Sequence, residues 1–384
     1  MTEIRLERVA HGGSVVGMTD DKVVFVTGGL PGELVVVDIT EHSQRFDRGR
    51  VLEVVEPVAG RVTPPCPIAE RCGGCDWQHA SPELQLDLKT AVVAEQLHRL
   101  AGITWEGRVQ AVAPTTGWRT RMRYAVDDAG RVGLRARRSH DVVPLPEQGC
   151  LVAAPGPDLA ELTRMAAGAE SLEVVVSDDG VSVLADGVRL RGGAVVHQSV
   201  SGHRFAVDAG GFWQVHPRAA QVLTDAVLHG LRPTTGETAL DLYCGVGLFA
   251  APLAAAGCDV LGIEGSRRAI VRARMNVPGA RFVAGSLEKS LASLPPRADV
   301  VVLDPPRKGA GATVVKAIAR LRPRAIAYVA CDPSALGRDL STFASLGFEP
   351  TSIEAFDLFP MTHHVECVAI LEPTNRSRGD TAVM

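Results

Sequence analysis

From Phe212 onward, apolar runs of strand length take turns with runs of helical periodicity, and this alternation constrains the fold more than any other feature of the chain. TALDLY (238–243), VLGIE (260–264), VVVLD (300–304) and AIAYVA (325–330) read as strands. LFAAPLAAAG (248–257) and RRAIVRARMNV (267–277) read as helices. Strands and helices that alternate in this way imply a mostly parallel sheet whose ligands bind at the carboxyl ends of its strands.

The turn after the first of these strands is Asp241-Leu242-Tyr243-Cys244-Gly245-Val246-Gly247. Its glycines let a ligand approach the backbone, and its carboxylate can hold a polar group. Glu264 ends the next strand, close to the ~20-residue spacing that puts an acidic side chain on a ribose hydroxyl pair. Gly245, Gly247 and Ala250 also satisfy G-x-G-x-x-A, so a dinucleotide is an alternative ligand. Asp241 ahead of the glycines, and Asp304-Pro305-Pro306-Arg307 closing a later strand, favour S-adenosylmethionine.

The chain has 384 residues, more than one core usually supports, so several domains are expected. Residues 1–58 carry short β-runs separated by Gly and Pro turns, as in a small OB-like barrel. Residues 59–207 form a central mixed α/β region, and residues 208–384 the α/β domain. Within the central region, Leu84, Leu88, Val92, Leu97 and Leu100 follow Ser81-Pro82 at near-helical spacing and predict a helix over 82–100. No apolar run reaches the roughly 18 residues of a membrane span, and MTEIRLERVA lacks a leader's apolar segment. Cytoplasmic residence is the expectation, with no membrane and no DNA as partner and a monomeric state.

The formal net charge of -4 argues against a uniformly basic nucleic-acid binder. Positive charge is local: residues 118–138 hold seven arginines against Asp127 and Asp128. Arg119, Arg121 and Arg123 alternate as on one strand face. The first 60 residues, by contrast, hold six Lys/Arg against ten Asp/Glu, so any RNA binding by the barrel must rest on specific contacts.

Three of the eight cysteines crowd together as Cys66-x5-Cys72-x2-Cys75, with Cys150 further on. Clustered cysteines outside an oxidising compartment suggest metal or catalysis. Four soft ligands suit zinc or an iron–sulfur cluster, and spacing alone does not choose between them. Cys244, Cys258 and Cys367 read as small buried side chains. Phe212 and Trp213 are either core or stacking surfaces for a base.

Adding Phe212-Trp213-Gln214, Cys331-Asp332-Pro333 and the terminal HHVEC, the chain resembles the bacterial RNA uridine-C5 methyltransferases, in the iron–sulfur branch that modifies large-subunit (23S) ribosomal RNA. The likeness runs over nearly the whole length. It implies a TRAM-type barrel, a central iron–sulfur domain and a Rossmann-like class I methyltransferase domain. It also implies Cys331 as nucleophile and Glu366 as general base, with Gln214, Tyr243, Gly245, Glu264 and Asp304 around the S-adenosylmethionine and the uracil. A [4Fe–4S] cluster on Cys66, Cys72, Cys75 and Cys150 is implied as well, with zinc as the alternative. RNA is the implied partner: 23S rRNA first, the thymine loop of tRNA second. Leu248 and His216 stand where the family often has Asn.

The chemistry fits these residue types. Carbon 5 of uracil becomes nucleophilic once a group adds to carbon 6, and a thiolate both adds and leaves near neutral pH. The carbon-5 proton must then be removed by a carboxylate on the same face. Two other classes compete: an iron–sulfur flavin or nicotinamide oxidoreductase, which leaves DPPR and ACDP unexplained, and a non-catalytic RNA-binding protein, which leaves Cys331 and Glu366 unexplained.

Overall fold

The computed structural model describes residues 2–19 and 21–374. Strands β1 (Thr2–Val9), β2 (Val15–Met18), β3 (Val23–Thr27), β4 (Leu34–His42) and β5 (Phe46–Glu56) close into a barrel in the order β1-β2-β3-β5-β4. Alternation along the strands turns Ile4, Leu6, Val24, Val26, Val35 and Val37 inward as its core. Buried Glu33 accepts from the Arg61 guanidinium and from the Leu30 N–H, which fastens the chain leaving the barrel to the barrel itself.

Helix α1 (Pro82–Ala101) begins where the sequence predicts: the Ser81 hydroxyl accepts from the Leu84 N–H, and proline takes the first helical position. It buries Leu88, Val92, Val93 and Leu97, each worth about 1.5–3 kcal/mol in apolar transfer. The short β6 (Val109–Ala111) follows. Next come β7 (Arg121–Val126), β8 (Val132–Arg135), β9 (Val142–Pro144), α2 (Leu159–Met165), β10 (Ser171–Ser177), β11 (Gly180–Ala185) and β12 (Val188–Arg191), whose strands form one sheet in the order β12-β11-β10-β7-β8-β9. A hairpin of β13 (Val195–Val200) and β14 (His203–Asp208) leads out of this region.

The remainder is α3 (Ala219–Leu231), β15 (Thr238–Leu242), α4 (Ala250–Ala255), β16 (Asp259–Glu264), α5 (Arg267–Asn276), β17 (Arg281–Ala284), α6 (Leu287–Ser290), β18 (Val300–Leu303), α7 (Ala312–Arg320), β19 (Ala325–Ala330), α8 (Pro333–Ser345), β20 (Phe348–Asp357) and β21 (Glu366–Pro373). The sheet order is β17-β16-β15-β18-β19-β21-β20-β6, parallel through its first five strands, with β21 antiparallel to both neighbours. Apolar residues of β15, β18 and β19 are fully buried because helices cover both faces.

The central region is not a separate body. β6 adds to the large sheet in parallel with β20. Helix α1 lies so close to α8 that a Cβ on Gly337 would meet Leu100 Cβ at 3.0 Å and the Gln96 carbonyl at 3.1 Å. Phe205 and Val207 of β14 share a core with α3 and the sheet. Asn276 of α5 accepts from the Ala206 N–H at 2.8 Å and donates to the Val246 carbonyl at 2.9 Å, which ties the hairpin to the glycine turn.

Candidate active site

A cleft of about 1860 Å³ opens over the carboxyl ends of β15, β16, β18 and β19 and is walled by the barrel and the central region. Gln214, Tyr243, Gly245, Glu264, Asp304, Cys331 and Glu366 all line it. The strand ends explain this convergence: β15 ends one residue before Tyr243, β16 ends on Glu264, and β18 and β19 end one residue before Asp304 and Cys331.

In the glycine turn, Tyr243 and Gly245 adopt positive φ (63° and 54°), and Gly247 does so at 94°. A Cβ on Gly247 would stand 3.1 Å from Val277 Cγ2. The Glu264 carboxylate accepts from the Gly245 N–H at 3.2 Å and the Ser266 N–H at 2.7 Å, which fixes the turn against the next helix. Asp241 is fully buried and accepts from the Ala250 N–H at 2.8 Å. Burial pushes it up to about 8, against the pull of that N–H, and the Asp304 and Glu264 charges add to the rise. Among the described residues, Asp241 Oδ1 and the Tyr243 hydroxyl are buried polar atoms with no hydrogen-bond partner. Orphaned groups beside a glycine turn suit a polar nucleoside-like ligand, so these residues fit S-adenosylmethionine.

Ala330 pairs with Cys367 across β19 and β21, so the next step along the ladder sets Cys331 opposite Glu366. Glu366 is 3 % exposed. Burial raises it well above the usual carboxylate range, the Asp304 charge adds to this, and Arg307 opposes it. Asp304 is pushed up to about 7 by burial. Cys331 is pushed up to about 12 by burial first, then by Glu366 and Asp304, with Arg307 again opposing. Three acidic groups therefore crowd together near a single guanidinium. The side chain of Asp332 caps α8 by accepting from the Ala335 N–H at 2.8 Å.

The segment leading into Glu366 is held from two sides. From the cysteine loop, Asp76 Oδ2 lies 2.6 Å from His363 Nδ1 and accepts from the His363 N–H, while its other oxygen accepts from Arg137 at 2.6 Å. From α1, the Gln85 side chain accepts from the Met361 N–H at 2.9 Å, and buried Lys89 donates to Asp357 and to the Phe359 carbonyl. His364 is lowered to about 3 by burial and by the charges of His363 and Arg307, which makes it a neutral side chain here. It precedes β21, which begins at Glu366. Sequence reading missed Asp76, Gln85 and Lys89. Only the position of Asp76 directly after Cys75 hinted at a role.

Other expectations divide. Trp213 is core, packed on Phe205 with ring centroids 5.3 Å apart, whereas Phe212 is 74 % exposed on the cleft. Of the arginine triplet, Arg119 precedes β7, and Arg121 turns inward to donate to the Ala209 and Gly211 carbonyls, supporting the loop that carries Gln214. Only Arg123 stays open to solvent on that strand. His216 is buried against Trp118 and hydrogen-bonded to the Pro114 carbonyl, so it serves as a joint behind the cleft. Leu248 lines the cleft as an apolar contact.

Cys66, Cys72, Cys75 and Cys150 line one small cavity of about 50 Å³ between the cysteine loop and β7–β9. All four are free thiols. Burial raises Cys72, Cys75 and Cys150, and the neighbouring cysteines add to it. The donor set is that of a thiolate-bound metal, but among the described residues no three Cys, His, Asp or Glu groups stand close enough to hold an ion as they are. The other cysteines, Cys244, Cys258 and Cys367, are buried. Among the described residues no helix is long and apolar enough to cross a membrane.

Comparison with known proteins agrees with this architecture. Residues 2–52 match the TRAM domain, and residues 295–374 match the tRNA (Uracil-5-)-methyltransferase family. An uncharacterized RNA methyltransferase of Streptomyces avermitilis is 44% identical, with 97% of this chain and 98% of that protein covered. A 23S rRNA (uracil(1939)-C(5))-methyltransferase of Shewanella piezotolerans is 31% identical over 96% of this chain and 95% of its own length. The crystal structure of Pyrococcus abyssi tRNA (uracil-54, C5)-methyltransferase with S-adenosyl-L-homocysteine superimposes with a TM-score of 0.73 at 22% identity, covering 96% of this chain and 99% of that one. This kinship leaves neither the oxidoreductase reading nor the pure RNA-binder reading standing. The chain belongs to the TRAM-bearing family of S-adenosylmethionine-dependent RNA uracil-C5 methyltransferases.

Proposed function

We propose that this enzyme methylates a uridine of 23S rRNA through a covalent intermediate on Cys331, within a chain organised as units 1–58, 59–207 and 208–384. The observation that carries the proposal is the register of β19 and β21, which sets Cys331 opposite Glu366 beside Asp304 and Arg307. S-adenosylmethionine supplies an electrophilic methyl group, and Tyr243, Gly245, Glu264 and Asp304, with Gln214, are the cleft residues that would hold it. Gln214 faces the same space and orients the uracil. The Cys331 thiolate adds to carbon 6, and the electron pair released into the ring lets carbon 5 take the methyl group. Glu366 then removes the carbon-5 proton. The resulting electron pair restores the 5,6 double bond and expels Cys331 as thiolate.

Ribosomal RNA is favoured by the full-length likeness to the Shewanella enzyme. The fold likeness to the Pyrococcus tRNA enzyme makes the thymine loop the second reading. A [4Fe–4S] cluster on Cys66, Cys72, Cys75 and Cys150 would clamp the cysteine loop to β7–β9. The four thiols on one cavity support it, and no chemical step passes through it.

The test is to incubate anaerobically purified wild type and Cys331→Ala with labelled S-adenosylmethionine and unmodified ribosomal or transfer RNA, and to map the label by nuclease digestion and mass spectrometry. Label on uridine carbon 5 that is absent with Cys331→Ala supports the mechanism and identifies the substrate. Equal label with both proteins overturns it.

A further inference from the structure

The tip of the β1–β2 hairpin, His11-Gly12-Gly13-Ser14, is built into the catalytic wall rather than held away from it. The Trp77 indole donates to the Gly13 carbonyl at 3.0 Å. Gly13 has φ 85°, and a Cβ there would stand 2.8 Å from His363 Cβ, so no other residue fits without displacing the segment that leads to Glu366. With the tip fixed at these two points, His11 reaches across to α8. Its Nε2 lies 3.1 Å from Asp332 Oδ2, with the two side chains 37% and 22% exposed.

Asp332 directly follows Cys331, and one of its oxygens is already committed to the α8 cap. The charged groups around the thiol are Glu366 on β21, Asp304 and Arg307 after β18, and Asp332 itself. Every carboxylate in this set opposes thiolate formation, and Arg307 is the only cation among them. Asp332 is held below the usual carboxylate range: burial opposes this, but contact with His11 and the Ala335 N–H outweigh it. An unpaired Asp332 would thus stand as a bare negative charge beside the sulfur.

We propose that His11, supplied by the barrel, is a positioning residue for Cys331, pairing with Asp332 so that its carboxylate does not weigh against the thiolate. The inference rests on Cys331 being the reactive thiol, but its test does not require methyl transfer. It gives the barrel a second task beside RNA contact, since the chemistry is expected to weaken when the hairpin tip is altered even if RNA still binds.

The experiment is iodoacetamide alkylation of Cys331 in the full chain, without RNA or methyl donor, followed as a labelling rate at one neutral pH, where it reports the thiolate fraction, by mass spectrometry of the Cys331 peptide. His11→Ala is expected to lower that rate about threefold, as suits a partly exposed pair. His11→Gln keeps a donor and much of the volume, guards against a folding defect, and should fall between Ala and wild type. In an Asp332→Asn background the same His11→Ala change should leave the rate where it is. A His11→Ala or His11→Gln rate equal to wild type, or a loss that persists undiminished in Asp332→Asn, overturns the inference. A lowered rate in a protein whose methylation survives Cys331→Ala would keep the pairing and remove the nucleophile assignment instead.

Discussion

Asp76 grips His363 twice, with one carboxylate oxygen 2.6 Å from Nδ1 and 3.0 Å from the backbone nitrogen, although 287 residues separate the two in sequence. The same carboxylate binds Arg137, so the cysteine loop, the β8–β9 connection and the approach to Glu366 meet at one side chain. Asp76→Asn keeps the shape but removes the charge that holds Arg137 and one of the two acceptor oxygens shared between Arg137 and His363. It should cost about 1–3 kcal/mol of stability in thermal or denaturant unfolding. Turnover should fall more than that loss of folded protein explains, because the segment positioning Glu366 loses its anchor. Unchanged melting and unchanged turnover together would show the grip to be idle.

Glu366 and Cys331 act at opposite ends of the reaction in our reading, and their variants should fail differently. Glu366→Gln can still form the thioether and accept the methyl group, but it cannot remove the carbon-5 proton, so the enzyme stays bonded to its RNA. A protein–RNA species that survives denaturing electrophoresis and carries one labelled methyl group is expected. Cys331→Ala should give none. Glu366→Gln that turns over at the wild-type rate would place the base elsewhere.

Burial raises Asp304 to about 7 and Glu366 well above its usual range, so both hold protons in the folded protein that the unfolded chain would release near neutrality. For groups shifted in this direction, the stabilising contribution is fully present below their unfolded values and is lost as pH rises through their folded values. The enzyme should therefore lose stability from roughly pH 4 up through about 7 on account of Asp304, and Glu366 carries the loss to higher pH. Asp304→Asn should recover about 1–3 kcal/mol of that loss at mildly alkaline pH while reducing methylation. Turnover of the wild type should rise with pH as Glu366 ionises, since burial raises it well above the usual carboxylate range. Melting temperatures that respond to pH identically in wild type and Asp304→Asn would refute the assignment.

The parts of this molecule that were legible in sequence are those set by local pattern. Short β-runs between Gly and Pro turns mark the barrel, Ser81-Pro82 marks the start of α1, and the motifs at strand ends collect Tyr243, Glu264, Asp304 and Cys331 because a parallel sheet delivers all its carboxyl ends to one edge. What stayed hidden depends on register between distant segments. Nothing in VQA at 109–111 announces an edge strand beside β20, and Gly337 declares itself only when Leu100 is found against it. The arginine alternation was read as a free charged face, yet Arg121 is drawn inward by carbonyls of a loop some ninety residues away, which no local pattern encodes. His11 and Asp76 belong to the same class: ordinary polar residues in loops, given meaning by where those loops land.

The position of β21 has a consequence for how the molecule is made. It is the last described strand to leave the ribosome, yet it lies inside the sheet between β19 and β20 rather than at an edge. Until it inserts, β19 has an open flank and Glu366 at the head of β21 is missing, so in our reading a nascent chain carries the Cys331 thiol without the base that would finish the reaction. Synthesis thus imposes an order in which the barrel is complete before the large sheet, and Glu366 joins Cys331 only as that sheet closes.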